Sequence, residues 1–194
     1  DNVTQIIKCG ALLEGPELIF KEGRAILIEK EKIKDIVSLQ HIDSSNVSDI
    51  PITDLSKYTI LPGLVDTHVH IETHAETDHA IFEDSIAKRT LGAAANVKRA
   101  LYSGVTSMRV MGTHNFIDVA MRDAVTEGLI EGPRLQAAGY LISMTGGHGM
   151  ELECHSCDLP ILTSKIFGGV ADGDVEMRKL VRYSLRQGVD LIKV

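Results

Sequence analysis

Leu61-Pro62-Gly63-Leu64-Val65-Asp66-Thr67-His68-Val69-His70 is the stretch at which the chain changes character. Pro62-Gly63 breaks what precedes it, and Leu64-Val65-Asp66 opens an apolar strand. From there one unit recurs three times: amphipathic helix, glycine, apolar strand. The first helix is expected over roughly 91–103, with Ala94, Val97 and Leu101 on one face, then Gly104 and a strand over 105–110. The second is expected over roughly 116–127, with Phe116, Val119 and Ala120 together, then Gly128, Gly132-Pro133 and a strand over 134–138. The third is expected to start on Asp174 as N-cap, to turn Met177, Leu180, Val181 and Leu185 inward, and to stop at Gly188 before a strand over 189–194.

Strand–helix–strand repetition implies parallel strands joined by crossovers. Four such strands, near residues 65, 107, 136 and 192, fit either a doubly wound α/β sheet or part of a (β/α)8 TIM-type barrel. A barrel needs roughly 250 residues, and the 134 residues after Ile60 are about half of that. The chain stops inside the last expected strand, and Asp1 is not an initiator methionine, so it reads as a piece of a longer protein.

Upstream, residues 1–60 read as β structure: candidate strands over 6–12, 25–28 and 33–37, with Gly15-Pro16 and Glu29–Lys32 as turns. Residues 43–56 are polar and turn-rich and read as a surface connection.

Of the 194 residues, 44% are hydrophobic and 24% charged, the balance of an ordinary globular protein. The net charge of −7 and dispersed basic residues argue against a nucleic-acid partner. No apolar run is long enough to span a membrane. Three cysteines make no disulfide framework and favour a reducing, cytoplasmic setting.

Two long connections, over 68–90 and 143–173, follow strand C-termini and carry most of the histidines. Residues i and i+2 of a strand share a face, so His68 and His70 present two imidazoles side by side, as divalent-metal ligands do. His148 sits in the glycine-rich loop Thr145–Gly149, where the backbone can approach a substrate. His74, His79 and His114 read as loop residues or outer partners of the site, Tyr140 as packing, and the lone Cys154-His155-Ser156-Cys157 pair as a small structural metal site or an accident of spacing. A lysine at Lys193 either snorkels to solvent or sits in an apolar strand end. In the second setting a neutral amine can add carbon dioxide to give a bridging carbamate.

The segment over 61–70 resembles the first barrel strand of the metal-dependent amidohydrolase superfamily. Gly104-Val105-Thr106-Ser107-Met108-Arg109 is similar to its second-strand motif, although Val110 stands where the family often has an acid. Gly132-Pro133-Arg134, Gly139 and Thr145–Gly149 resemble the third-strand segment of the branch containing imidazolonepropionase-like peptidases and Xaa-dipeptidases of prolidase type. Gly188–Lys193 resembles that branch's fourth-strand motif.

The resemblance implies a β-sandwich half over 1–60 and the first half of the barrel over 61–194. It implies a hydrolase of amide bonds, of dipeptides or N-acyl amino acids, that uses a metal-activated hydroxide. Two divalent ions, zinc by expectation, would be held by His68, His70 and a carboxylated, bridging Lys193, with His148 on the substrate. The catalytic Asp and two further histidines are expected after residue 194, so this segment alone should bind metal weakly and be inactive. The expected partners are the small substrate, the completing half of the barrel and further copies of the chain. A cyclic-amide hydrolase, a single-metal deaminase lacking the bridging lysine, and a non-catalytic fragment are the rival readings.

Overall fold

A computed structural model of the chain describes residues 3–43, 49–72, 85–147 and 168–194. It divides into two compact units, Asp1–Pro62 and Gly63–Val194.

The first unit is one four-stranded sheet in the order β3-β2-β1-β4. Its strands are β1 (Gln5–Glu14), β2 (Ile19–Glu29), β3 (Lys32–Ser38) and β4 (Ile52–Ile60), with a short helix α1 (Leu39–Asp43) between the last two. β1 pairs antiparallel with β2 and parallel with β4. Ile6, Ala25 and Ile42 form one buried cluster and Cys9, Leu12 and Ile26 another. The expected surface connection over 43–56 is corrected here. Its last residues belong to β4, with Ile52–Leu55 opposite Ile6–Cys9. β4 is an edge strand and mostly exposed, so its polar residues are compatible with pairing and conceal the strand in the sequence.

The second unit is built on a parallel sheet of β5 (Leu64–Val69), β6 (Val105–Val110) and β7 (Arg134–Ala137). Helix α2 (Ile86–Tyr102) lies between β5 and β6 in the chain, and α3 (Ile117–Thr126) between β6 and β7. Ala93 and Val97 of α2 and Ile117 and Met121 of α3 pack with Met108, Val110 and Leu135 of the sheet into one core. Each such fully buried aliphatic side chain contributes about 1.5–3 kcal/mol. The opposite face, carrying Arg109, Arg134 and Gln136, is exposed.

Several local expectations shift. α2 begins at Ile86, where Ser85 caps it by accepting the Lys88 N–H at 3.3 Å. Its buried stripe is Arg89, Ala93 and Val97, spaced four residues apart, and the charge on Arg89 disguises the first member. On α3 it is Met121, not Ala120, that turns inward. Helix α4 (Asp174–Arg186) is capped by Gly173 at φ +90°, so Asp174 is its first helical residue rather than the cap. Its inner stripe ends on buried Ser184, seven residues after Met177, while Leu185 is 56% exposed.

Two short strands, β8 (Leu141–Ser143) and β9 (Gly168–Val170), pair in parallel. Gly168-Gly169 falls in the expected connection over 143–173, yet it opens β9, and Leu180 packs where a Cβ on Gly169 would stand. The expected strand over 189–194 reduces to one bridge, Leu141 to Lys193. Asp190 explains the loss of pairing. Its carboxylate accepts the Ala137 N–H at 2.8 Å, occupying a donor that a continuous ladder would use. Arg122 donates to that carboxylate at 2.9 Å. Among the described residues no helix is long and apolar enough to cross a membrane.

Gly139, just beyond β7, adopts φ +69°. A Cβ there would lie 2.7 Å from both Phe116 Cε1 and Val189 Cγ1. Gly139→Ala therefore combines left-handed strain with overpacking. It should destabilise this unit by about 2–4 kcal/mol, read as a lower urea midpoint.

Candidate metal centre

The pairing of β5 with β6 decides where the two histidines point. Val65 lies opposite Ser107, Asp66 opposite Met108, and Val69 opposite Val110. Between the last two pairs β5 advances three residues while β6 advances two. This bulge reverses the alternation of side chains. Val69 consequently packs with buried Val110 against the helices. His68 and His70 then project from the face shared by Ser107 and Arg109. In an unbroken register His68 would have opposed Val110 and entered the helix layer. Asp66 supplies the local cause, since its Oδ1 accepts the His68 N–H at 3.1 Å and tightens the backbone.

The imidazole rings of His68 and His70 are exposed and lie 5.5 Å apart, edge to face. Two nitrogens each about 2.1 Å from a tetrahedral ion place their ring centres roughly 5 Å apart, so the pair fits a shared divalent cation. His70 Nδ1 is 3.4 Å from the Gly112 carbonyl oxygen. An N–H there leaves the lone pair on Nε2, the nitrogen available to a metal. Among the described residues no three His, Cys, Asp or Glu side chains cluster as a complete metal site.

Lys193 is held beside β8 by its backbone: its carbonyl accepts the Ile142 N–H at 2.9 Å, and its side chain is half-buried. His148 lies outside the described residues, as do His74, His79, Cys154 and Cys157. On the same face as the histidines, Val65, Ser107, Arg109, Arg134 and Gln136 help to line a groove of about 420 Å³. Arg109 Nε donates to the Thr67 carbonyl at 2.8 Å, and Arg134 to Ser107 Oγ at 3.1 Å. Tyr140 packs as expected, its ring 4.5 Å from that of Phe116.

Residues 59–194 match the model of the amidohydrolase family. The chain belongs to that family. It is 28% identical to ochratoxinase of Aspergillus niger over 149 residues, 70% of this chain but 30% of that protein. The crystal structure of a Xaa-Pro dipeptidase with methionine bound in its active site superposes with a TM-score of 0.78 at 28% identity. A crystal structure of another amidohydrolase superposes at 0.76 and 31% identity. Both alignments cover 97% of this chain and less than half of the other, 46% and 45%.

In this amidohydrolase a buried ionic cluster forms around Glu72. Glu72, two residues after His70, is 5% exposed. It accepts from Arg89 Nη2 at 2.8 Å, from the His114 N–H at 3.1 Å and from His114 Nδ1. Arg89 comes from α2 and His114 from the loop after β6, so the cluster joins three elements. No motif in the local sequence marks Glu72 or Arg89, and His114 is expected there as a loop residue or an outer partner of the site. The one available signal was Arg89's place on the stripe of Ala93 and Val97.

Burial holds His114 below the ordinary histidine value, and the nearby Arg89 adds to this against the upward pull of Glu72. The folded protein therefore keeps His114 neutral where the unfolded chain takes up a proton. Its contribution to stability is complete above the unfolded value near 6.5 and declines as pH falls below it. His114→Gln should flatten that acidic limb of the unfolding midpoint against pH. An unchanged limb would show that the dependence lies elsewhere.

A second buried carboxylate, Asp118 at the start of α3, accepts from Thr113 Oγ1 at 2.6 Å, the Val119 N–H at 2.9 Å and the Gly139 N–H at 2.7 Å. Burial raises its carboxyl above the ordinary range, and these hydrogen bonds oppose the rise. Val110, which stands where the family often has an acid, is fully buried on the helix side of the sheet.

Proposed function

We propose that the full-length protein containing this segment is a metal-dependent hydrolase of amide bonds, acting on dipeptides or N-acyl amino acids. The observation that carries this reading is the histidine pair, two rings 5.5 Å apart at the C-terminal end of a parallel strand, in a chain of the amidohydrolase family. His68 and His70 would hold a divalent ion, zinc by its imidazole preference, and a carboxylated Lys193 would bridge to a second. When bound, such ions polarise a carbonyl and acidify water. Gly112 would keep Nε2 of His70 toward the ion through its carbonyl. His148 is the candidate for the substrate's carbonyl or carboxylate. The amino acid bound to the Xaa-Pro dipeptidase supports a substrate that releases a free amino acid.

In the same reading, residues 1–60 form part of a small β-sandwich and 61–194 the first four strands of a TIM-type barrel. The exposed face with Arg109 and Arg134 would become barrel interior. The later half of the barrel would complete the site, in a cytoplasmic enzyme that associates with further copies of itself and needs neither nucleic acid nor membrane.

The test is hydrolysis of a panel of dipeptides and N-acyl amino acids by the full-length protein. Activity should vanish on chelation and return with Zn(II). Turnover that survives complete metal removal overturns the reading.

A further inference from the structure

We propose that Glu72 and Asp118 are positioning residues that fix the tautomer of His70 through the strap Met111–His114. The role rests on the metal reading of His70 given above. The strap crosses from the end of β5 to the end of β7. At its start the Met111 N–H donates to the Val69 carbonyl at 3.0 Å, and in its middle the Thr113 N–H donates to the Gly139 carbonyl at 2.8 Å. Glu72 grips its far end through the N–H and Nδ1 of His114. Asp118 grips Thr113 Oγ1 at 2.6 Å and, with its other oxygen, the Gly139 N–H at 2.7 Å. Both carboxylates are buried, Asp118 completely, and Arg89 locks Glu72 at 2.8 Å.

Gly112 lies between the Met111 and Thr113 backbone anchors, immediately before the two gripped residues, and presents its carbonyl to His70 Nδ1. Its φ of +135° is strained for any residue with a side chain, so glycine there lets the carbonyl turn toward the imidazole. A carbonyl accepts and cannot donate, so this contact favours the proton on Nδ1. An exposed imidazole with no such partner favours the opposite tautomer, which would place the proton on the ligating nitrogen. Neither carboxylate touches the His70 ring. They act on it through the direction of one peptide group, as outer partners of metal-binding histidines do.

The experiment uses the full-length protein, metal-free and labelled with 15N-histidine, with His70 assigned through His70→Ala. Ring nitrogen shifts report the tautomer, and a Zn(II) titration reports affinity. Wild type should show His70 protonated at Nδ1. The paired variant Glu72→Gln/Arg89→Met removes both buried charges together, and Asp118→Asn loosens the other grip without altering shape. Each should shift His70 toward the Nε2-protonated form and weaken Zn(II) binding about tenfold. A purely structural role would lower thermal stability and leave the tautomer unchanged. Wild-type His70 protonated at Nε2, or folded variants with unaltered tautomer and affinity, overturn the proposal. Zn(II) affinity untouched by His70→Ala overturns the metal reading itself, and this role with it.

Discussion

His68→Ala and His70→Ala in the full-length protein should each weaken Zn(II) binding by about 10²-fold or more, beyond what loss of an outer partner causes, and should abolish hydrolysis. The fold should be spared. Neither ring belongs to the buried core between the sheet and its helices, so the change in unfolding free energy of the metal-free protein should stay within about 0.5 kcal/mol. Equilibrium dialysis with zinc analysis, set beside urea unfolding, separates the two effects. If both variants retain zinc at the wild-type level, the ring pair is not a ligand pair. If they unfold instead, the histidines serve packing.

The second large effect concerns the cluster around Glu72. Glu72→Ala leaves the Arg89 guanidinium buried without its carboxylate partner, and Arg89→Ala removes the cation that shares Glu72 with His114. Breaking a buried ion pair by deleting one member costs about 3–5 kcal/mol. For a chain of this size that corresponds to a fall in Tm of roughly 10 °C or more. Replacing the two members together should cost much less, because no charge is then stranded. Thermal unfolding of the two single variants and of Glu72→Gln/Arg89→Met forms a cycle. Additive losses would mean that the pair is not coupled. Strong non-additivity, with the double variant close to wild type, is the expected outcome.

Much of the fold could be read from spacing. The strand over 105–110 has the bounds observed, Val105–Val110, because its apolar run is bracketed by Gly104 and by a change of pattern at Met111-Gly112. The alternation of helix, glycine and strand anticipated the parallel order β5-β6-β7. The errors share one cause: a residue type read for its usual preference where a distant partner had altered it. Arg89 goes unmarked because a charged residue usually faces solvent, but Glu72 allows it to be buried. The polar run at the start of β4 has the composition of a surface connection, but β1 supplies its pairing. The end of the chain was taken as a full strand, but the Asp190 side chain had already claimed the Ala137 amide.

The candidate site divides along the same line. That His68 and His70 lie on one face follows from a two-residue period, which is local and needs no partner. Which face that is follows from the count of residues between pairs on β5 and β6, and β6 lies some forty residues downstream. The bulge at Asp66–Val69 arises only when the two strands meet. Likewise the burial of Glu72 and His114 depends on three elements closing around them, a condition no window of sequence contains. Periodicity is a property of a chain segment. The direction in which a side chain faces and the company a charge keeps are properties of contacts between segments, and the packed core sets those.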